Sequence, residues 1–163
     1  MIKVHTIPIL SDNYAYILEA DNGDVAIVDP GEAPQVIKFL QKNNLQPTHI
    51  LLTHHHGDHI AGVQEIVSKM PCEIYGPKSE EAKIGHLDVA LDENASFSFG
   101  DEAVKVIETP GHTLGQINYY FSESDILFSG DTLFVMGCGR VFEGTMKQMH
   151  NSLQKLSALP NET

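Results

Sequence analysis

The chain has 163 residues, 42% hydrophobic and 20% charged. That is the size and balance of one globular domain with its own core, over 1–163, and it argues against a disordered chain. No run reaches the roughly 18 apolar residues of a membrane span. Twenty-two acidic against 10 basic residues leave −12 with His neutral, a surface that repels phosphate backbones and argues against nucleic acid as a partner. The basic residues are never adjacent. The two cysteines, Cys72 and Cys138, supply no disulfide framework, and the N-terminal segment lacks the apolar stretch of a secretory signal, so a cytoplasmic location is expected.

Residues 2–10 and 14–20 read as two strands around the turn Ser11-Asp12-Asn13, and 24–29 as a third ended by Pro30-Gly31. Residues 33–43 carry Val36, Ile37, Phe39 and Leu40 at helical spacing, with Asn43-Asn44 as a stop. Residues 48–53 read as a buried strand and 60–69 as a helix before Pro71. A short strand over 72–75 and a short helix over 79–85 follow. A β-rich block comes next, at 95–99, 103–109, 116–121 and 125–129. Residues 145–157 read as a helix with Met146, Met149, Leu153 and Leu156 on one face. Loops of hairpin length in the β block argue against a doubly wound sheet, and two mixed sheets covered by helices fit better.

Four of the nine histidines fall within six positions, in Thr53-His-His-His-Gly-Asp-His59. Alternate side chains of an extended segment share a face, so His54 and His56 point together and His55 points away. Gly57 permits a turn that aims Asp58 and His59 at a second point nearby. Imidazole and carboxylate suit zinc, iron and manganese. His112 and Asp131 recur after two later strands, in Thr109-Pro-Gly-His-Thr and Gly130-Asp-Thr-Leu-Phe. Three strand ends can thus deliver ligands to one edge of the sheets.

The combination His-x-His-x-Asp-His, Pro-Gly-His-Thr and Gly-Asp-Thr-Leu-Phe resembles the metallo-β-lactamase superfamily. Ser11-Asp-Asn-Tyr-Ala-Tyr16, Thr53–His59 and Gly130-Asp-Thr-Leu-Phe-Val-Met-Gly-Cys-Gly-Arg-Val-Phe-Glu-Gly-Thr145 are similar to glyoxalase II, the hydroxyacylglutathione hydrolase. The resemblance covers the whole chain. It implies an α/β (α+β) architecture, an αβ/βα sandwich of two mixed β-sheets flanked by helices. It implies two divalent ions, zinc first, with iron or manganese as alternatives. His54, His56 and His112 would hold the first ion, Asp58 and His59 the second, and Asp131 would bridge both. The implied reaction cleaves S-lactoylglutathione, or another S-(2-hydroxyacyl)glutathione, to glutathione and a 2-hydroxy acid in methylglyoxal detoxification. A metal-bound hydroxide would attack, with Asp58 and Asp131 as catalytic residues. Arg140 would contact the glutathione carboxylates, and Phe142 stands where some members have Tyr for substrate contact. The Gly-Cys-Gly-Arg stretch also resembles the mononuclear-iron persulfide dioxygenases of the same superfamily, and this is the alternative activity.

The family supplies a further His in a Gly/Ala-His-Glu-Tyr segment and a C-terminal helical region for glutathione. This sequence reaches Leu159-Pro-Asn-Glu-Thr163 without either. The comparison implies a truncated chain, an incomplete second sheet and an under-occupied second metal. An exposed sheet edge would be open to self-association, and the chain could be a catalytically impaired metal-binding fragment. His150 reads as a residue of an amphipathic helix rather than a substitute ligand. Asp29 reads first as a turn residue and second as a support for a metal-binding His. Cys138 reads as a small structural residue, and His5, His49 and His86 as core-edge or surface histidines.

Overall fold

A computed structural model describes residues 1–163. The chain opens with β1 (Ile2–Ile9), β2 (Asn13–Ala20), β3 (Val25–Val28) and α1 (Pro34–Lys42). Next come β4 (His49–Leu51), α2 (Gly57–Ile60), α3 (Val63–Lys69) and β5 (Glu73–Pro77). A 3₁₀ turn over Lys78–Glu80 leads into α4 (Glu81–Ile84) and β6 (Val89–Leu91). The β block is β7 (Ser96–Phe99), β8 (Glu102–Glu108), β9 (Ile117–Phe121) and β10 (Ile126–Phe128). A small hairpin, β11 (Leu133–Phe134) and β12 (Gly137–Cys138), precedes α5 (Met146–Ser157). No helix is long and apolar enough to cross a membrane.

The first sheet has the order β1-β2-β3-β4-β5-β6 and is mixed. Its first three strands are antiparallel, and β3 to β6 run parallel because α1, the α2–α3 segment and the 3₁₀ turn with α4 return the chain between them. The second sheet, β10-β9-β8-β7, is antiparallel throughout rather than mixed: β7–β8 and β9–β10 close through short turns, and β8 returns as β9 after residues 109–116. Strands β10 and β7 are its edges.

Period-2 alternation sends opposite faces of the first sheet into two cores. Ile7, Ile9, Ala15, Ile17 and Ile27 pack beneath Val36, Ile37, Leu40 and Ile66 of the helices. Leu18, Ala26, Val28 and Leu51 face Val104, Val106, Tyr119 and Phe121 of the second sheet. Helix α1 starts with Pro34 in its first turn and buries Val36, Ile37 and Leu40. Asn43 stops it by donating its side-chain N–H to the Phe39 carbonyl at 2.8 Å. Helix α5 begins with a capping box, in which Thr145 and Gln148 satisfy each other's backbone N–H groups.

Several elements depart from expectation. The helix expected over 60–69 is two, broken at Gly62, whose N–H donates to the Pro30 carbonyl at 2.9 Å. A Cβ at Gly62 would stand 2.6 Å from that carbonyl oxygen, so this approach excludes any other side chain unless the backbone moves. Strand β6 and the β11–β12 hairpin are too short to carry a hydrophobic period and were not expected. On α5, Met149, Ser152 and Leu156 are buried, whereas Met146 in the first turn is 72% exposed. A Cβ on Gly111 would stand 2.9 Å from Met149 Cα, so the closest approach of the helix lies one turn beyond Met146.

At the far end of β4 from the histidine cluster, His49 is packed among the rings of Tyr75 (5.1 Å), Phe99 (5.5 Å) and Phe97 (6.3 Å). Burial pushes its pKa below the ordinary value, against the opposing pull of Asp24 and Glu73. Below about pH 6.5 the unfolded chain takes up a proton that folded His49 resists. Stability therefore falls as pH drops through that value. Urea unfolding at about pH 7.5 and about pH 5 checks this, and His49→Phe is expected to shrink the loss between them. An equal loss in both proteins would remove His49 from the acid response.

Candidate metal centre

The ends of β3, β4 and β9 meet at one edge of the sandwich. Leu52 donates its N–H to Tyr75 O, and Ile117 donates its N–H to Thr53 O, both at 2.9 Å. The buried Tyr119 hydroxyl donates to Leu52 O at 2.7 Å, so the two sheets are joined just below the histidine loop.

From that loop His54 and His56 do face one point, and His112 joins them. His56 Nδ1 lies 3.1 Å from His54 Nε2 and 2.9 Å from His112 Nε2. The tautomers of two of these rings follow from their other nitrogens. The Thr53 hydroxyl donates to Asp29 at 2.6 Å and can therefore only accept from His54 Nδ1, at 3.0 Å. The Arg140 carbonyl accepts from His112 Nδ1 at 2.8 Å. Both Nε2 atoms thus present lone pairs, and His56 Nδ1 carries at most one proton for two contacts. Three convergent nitrogens with too few protons between them fit a cation. Ligands of tetrahedral zinc, at about 2.0–2.1 Å from the ion, would stand about 3.3 Å apart. Burial, with the neighbouring imidazoles, pushes His54 and His56 below the ordinary histidine pKa, which keeps their lone pairs free.

His59, Asp58 and Asp131 form the adjacent group. His59 Nδ1 donates to Asp29 Oδ2 at 3.0 Å, which turns Nε2 into the site. That Nε2 is buried and has no aligned hydrogen-bond partner, although Asp131 Oδ1 is 3.2 Å away and Asp58 Oδ2 is 3.5 Å away. Two carboxylates facing one imidazole nitrogen call for positive charge between them, which either a proton on Nε2 or a bound cation would supply. Burial opposes charge on His59, yet Asp29 and Asp131 outweigh it and raise its pKa to about 10. The other Asp131 oxygen lies 3.2 Å from His112 Nε2, so this carboxylate faces both ligand groups. Burial raises the Asp131 carboxyl, but the His59 contact prevails and holds it below the ordinary carboxylate value.

The chain around these groups is tightly fitted. A Cβ on Gly139 would come within 1.9 Å of the Asp131 carbonyl and 3.2 Å of His112 Nδ1, which explains a glycine there. His55 turns away, as the alternation requires. Its N–H and its Nδ1 both reach the buried Glu80 carboxylate at 2.8 Å, and the other Glu80 oxygen accepts from Gly115 N–H at 2.9 Å. Glu80 thereby ties the His54–His56 loop to the segment after His112.

Phe142 is 61% exposed and sits over the centre, its ring 5.3 Å from His112 and 5.8 Å from His56. Arg140 is exposed at the rim. Cys138 is exposed on the hairpin, not packed as a structural cysteine, because β12 lies on the surface. His150 is exposed on α5 and belongs to none of the ligand-capable groups. Asp29 is not merely a turn residue. It is buried, with φ of +48°, and it accepts from Thr53 N–H, the Thr53 hydroxyl and His59. The sequence signal was present as an Asp ending a strand before Pro-Gly. Asn13 and Glu80, which hold Asp58 and His55, gave no signal of these roles.

Several solved structures share this fold. The BLEG-1 B3 metallo-beta-lactamase is 29% identical, with a TM-score of 0.84, over 97% of this chain and 87% of that one. ETHE1 from Myxococcus xanthus is 28% identical, with a TM-score of 0.86, over 100% of this chain and 72% of that one. TTHA1623, crystallised in a di-iron-bound form, is 28% identical, with a TM-score of 0.80, over 94% and 85%. The family pattern of the metallo-beta-lactamase superfamily matches residues 10–163. With the sandwich fold and its histidine- and aspartate-lined edge, this match places the chain in the metallo-β-lactamase superfamily.

Proposed function

We propose that this chain hydrolyses the thioester of an S-(2-hydroxyacyl)glutathione such as S-lactoylglutathione, using two divalent ions. The observation that carries the reading is Asp131, whose two oxygens face His112 Nε2 and His59 Nε2, each at 3.2 Å. His54, His56 and His112 would hold one ion, Asp58 and His59 the other, with Asp131 shared. Zinc suits this donor set, and the di-iron-bound relative keeps iron in the proposal. When bound, such a pair lowers the pKa of a shared water toward neutrality and polarises a carbonyl. The chain's own residues do the rest. Asp58, with its side chain 47% exposed, is placed to orient a water and hold its proton. Arg140 at the rim offers a planar cation to the carboxylates of glutathione. Phe142 supplies an apolar wall beside the reacting thioester. The Gly-Cys-Gly-Arg-Val-Phe-Glu-Gly-Thr145 run supports glutathione as the thiol.

A second reading is a persulfide dioxygenase with one iron. It is supported by the set His56, His112 and Asp131, two imidazoles and a carboxylate of the kind that non-haem iron oxygenases use. One experiment separates the two. Loss of thioester absorbance from S-lactoylglutathione is followed with and without oxygen, beside oxygen uptake with glutathione persulfide. The expected result is oxygen-independent, chelator-sensitive thioester loss. Oxygen uptake without thioester loss would move the assignment to the dioxygenase.

A further inference from the structure

Outside the two ligand groups, one polar side chain reaches into the site from a distant part of the sequence. Asn13, the first residue of β2, donates its side-chain N–H to Asp58 Oδ2 at 2.8 Å. The same nitrogen lies 3.4 Å from the Asp58 carbonyl. Both neighbours are acceptors, so the amide can only present its nitrogen here. The Asp58 oxygen it holds is the one that points toward the unpartnered, buried His59 Nε2 at 3.5 Å. Asp58 itself is half-exposed, and an exposed carboxylate without this bond would sample several rotamers.

The contact is built, because the turn before Asn13 is docked on the same loop. Leu10 is held at a φ of +52° and donates its N–H to Glu32 Oε1 at 3.0 Å. Gly31, next to Glu32, lies so close to Asp58 that a Cβ would come within 1.8 Å of its carbonyl oxygen. The β1–β2 turn, Gly31–Glu32 and Asp58 form one block, with Asn13 as its only side-chain link to the Asp58 carboxylate among the hydrogen bonds observed.

We propose that Asn13 is a positioning residue for the second ion: its amide fixes the Asp58 carboxylate in the rotamer that faces His59, and so sets the affinity of that ion without touching the first. The inference rests on the two-ion reading above. Neither His54, His56 nor His112 bonds Asn13, so the first ion's site is independent of it. A hydrogen-bond partner of a ligand is generally worth about 10- to 100-fold in metal affinity.

The test is Zn²⁺ titration of chelator-stripped protein against a competing indicator, with native mass spectrometry to count ions. Wild type is compared with Asn13→Ala and with Asn13→Leu, which keeps the bulk but removes the donor. Two ions are expected in wild type. In both variants the second ion should bind about 10- to 100-fold more weakly, with first-ion affinity unchanged. Unchanged affinity for both ions would overturn the inference. Equal weakening of both would also overturn it, because that is the mark of a purely structural residue. If wild type itself takes up only one ion, the two-ion reading fails first and the inference falls with it.

Discussion

Asp131→Ala is expected to release the second ion and to lower thioester turnover by at least about a hundredfold. The carboxylate stands between His112 and His59, and no other carboxylate lies within ion-pair distance of both. Its removal leaves the second ion with Asp58 and His59 alone, fewer protein ligands than a stable site uses. The backbone should tolerate the change. Gln116 donates its side-chain N–H to Ser129 O at 2.9 Å, and the Thr109 and Thr132 hydroxyls pair at 2.7 Å, so the loop is fixed without Asp131. Metal content and single-turnover rates measure the effect. Retention of both ions with normal turnover would remove the bridging role.

Asp29→Ala should cost the most stability of any replacement near the site, about 3–5 kcal/mol. The carboxylate is buried and accepts three hydrogen bonds, from Thr53 N–H at 2.8 Å, the Thr53 hydroxyl at 2.6 Å and His59 Nδ1 at 3.0 Å. Alanine would orphan all three donors. His59 could then rotate, and Thr53 would no longer have to accept from His54, so both ligand groups should lose affinity together. Asp29→Asn keeps the shape but sets an N–H against at least one donor, and should lose affinity with a smaller loss of stability. Urea unfolding and Zn²⁺ affinity separate the two quantities. An Asp29→Ala protein as stable as wild type would show that the network carries no weight.

These two residues mark how far the sequence could be read. The shared face of His54 and His56, with His55 turned away, follows from strand geometry within four residues. The longer strands and α1 were legible because their apolar residues repeat with the right period. What was lost depends on partners far along the chain. At the helix break, Gly62 gives its N–H to Pro30 O, a partner far back in the chain. Glu80 and Asn13 matter only because folding sets them against His55 and Asp58. Asp29 carried a local turn signal that masked its tertiary role. The second sheet was expected to be mixed, and its antiparallel order followed from loop lengths already visible in the sequence.

Anomalous diffraction from crystals of the zinc-loaded protein locates the ions without reference to activity. Two peaks are expected. One should lie among His54 Nε2, His56 Nδ1 and His112 Nε2, and the other beside His59 Nε2 and Asp58, with Asp131 between them. His55, Glu80 and Glu143 form another group able to hold an ion, although Lys83 already occupies Glu143 at 2.7 Å. Peaks at that group, with none at His54, His56 and His112, would contradict the account.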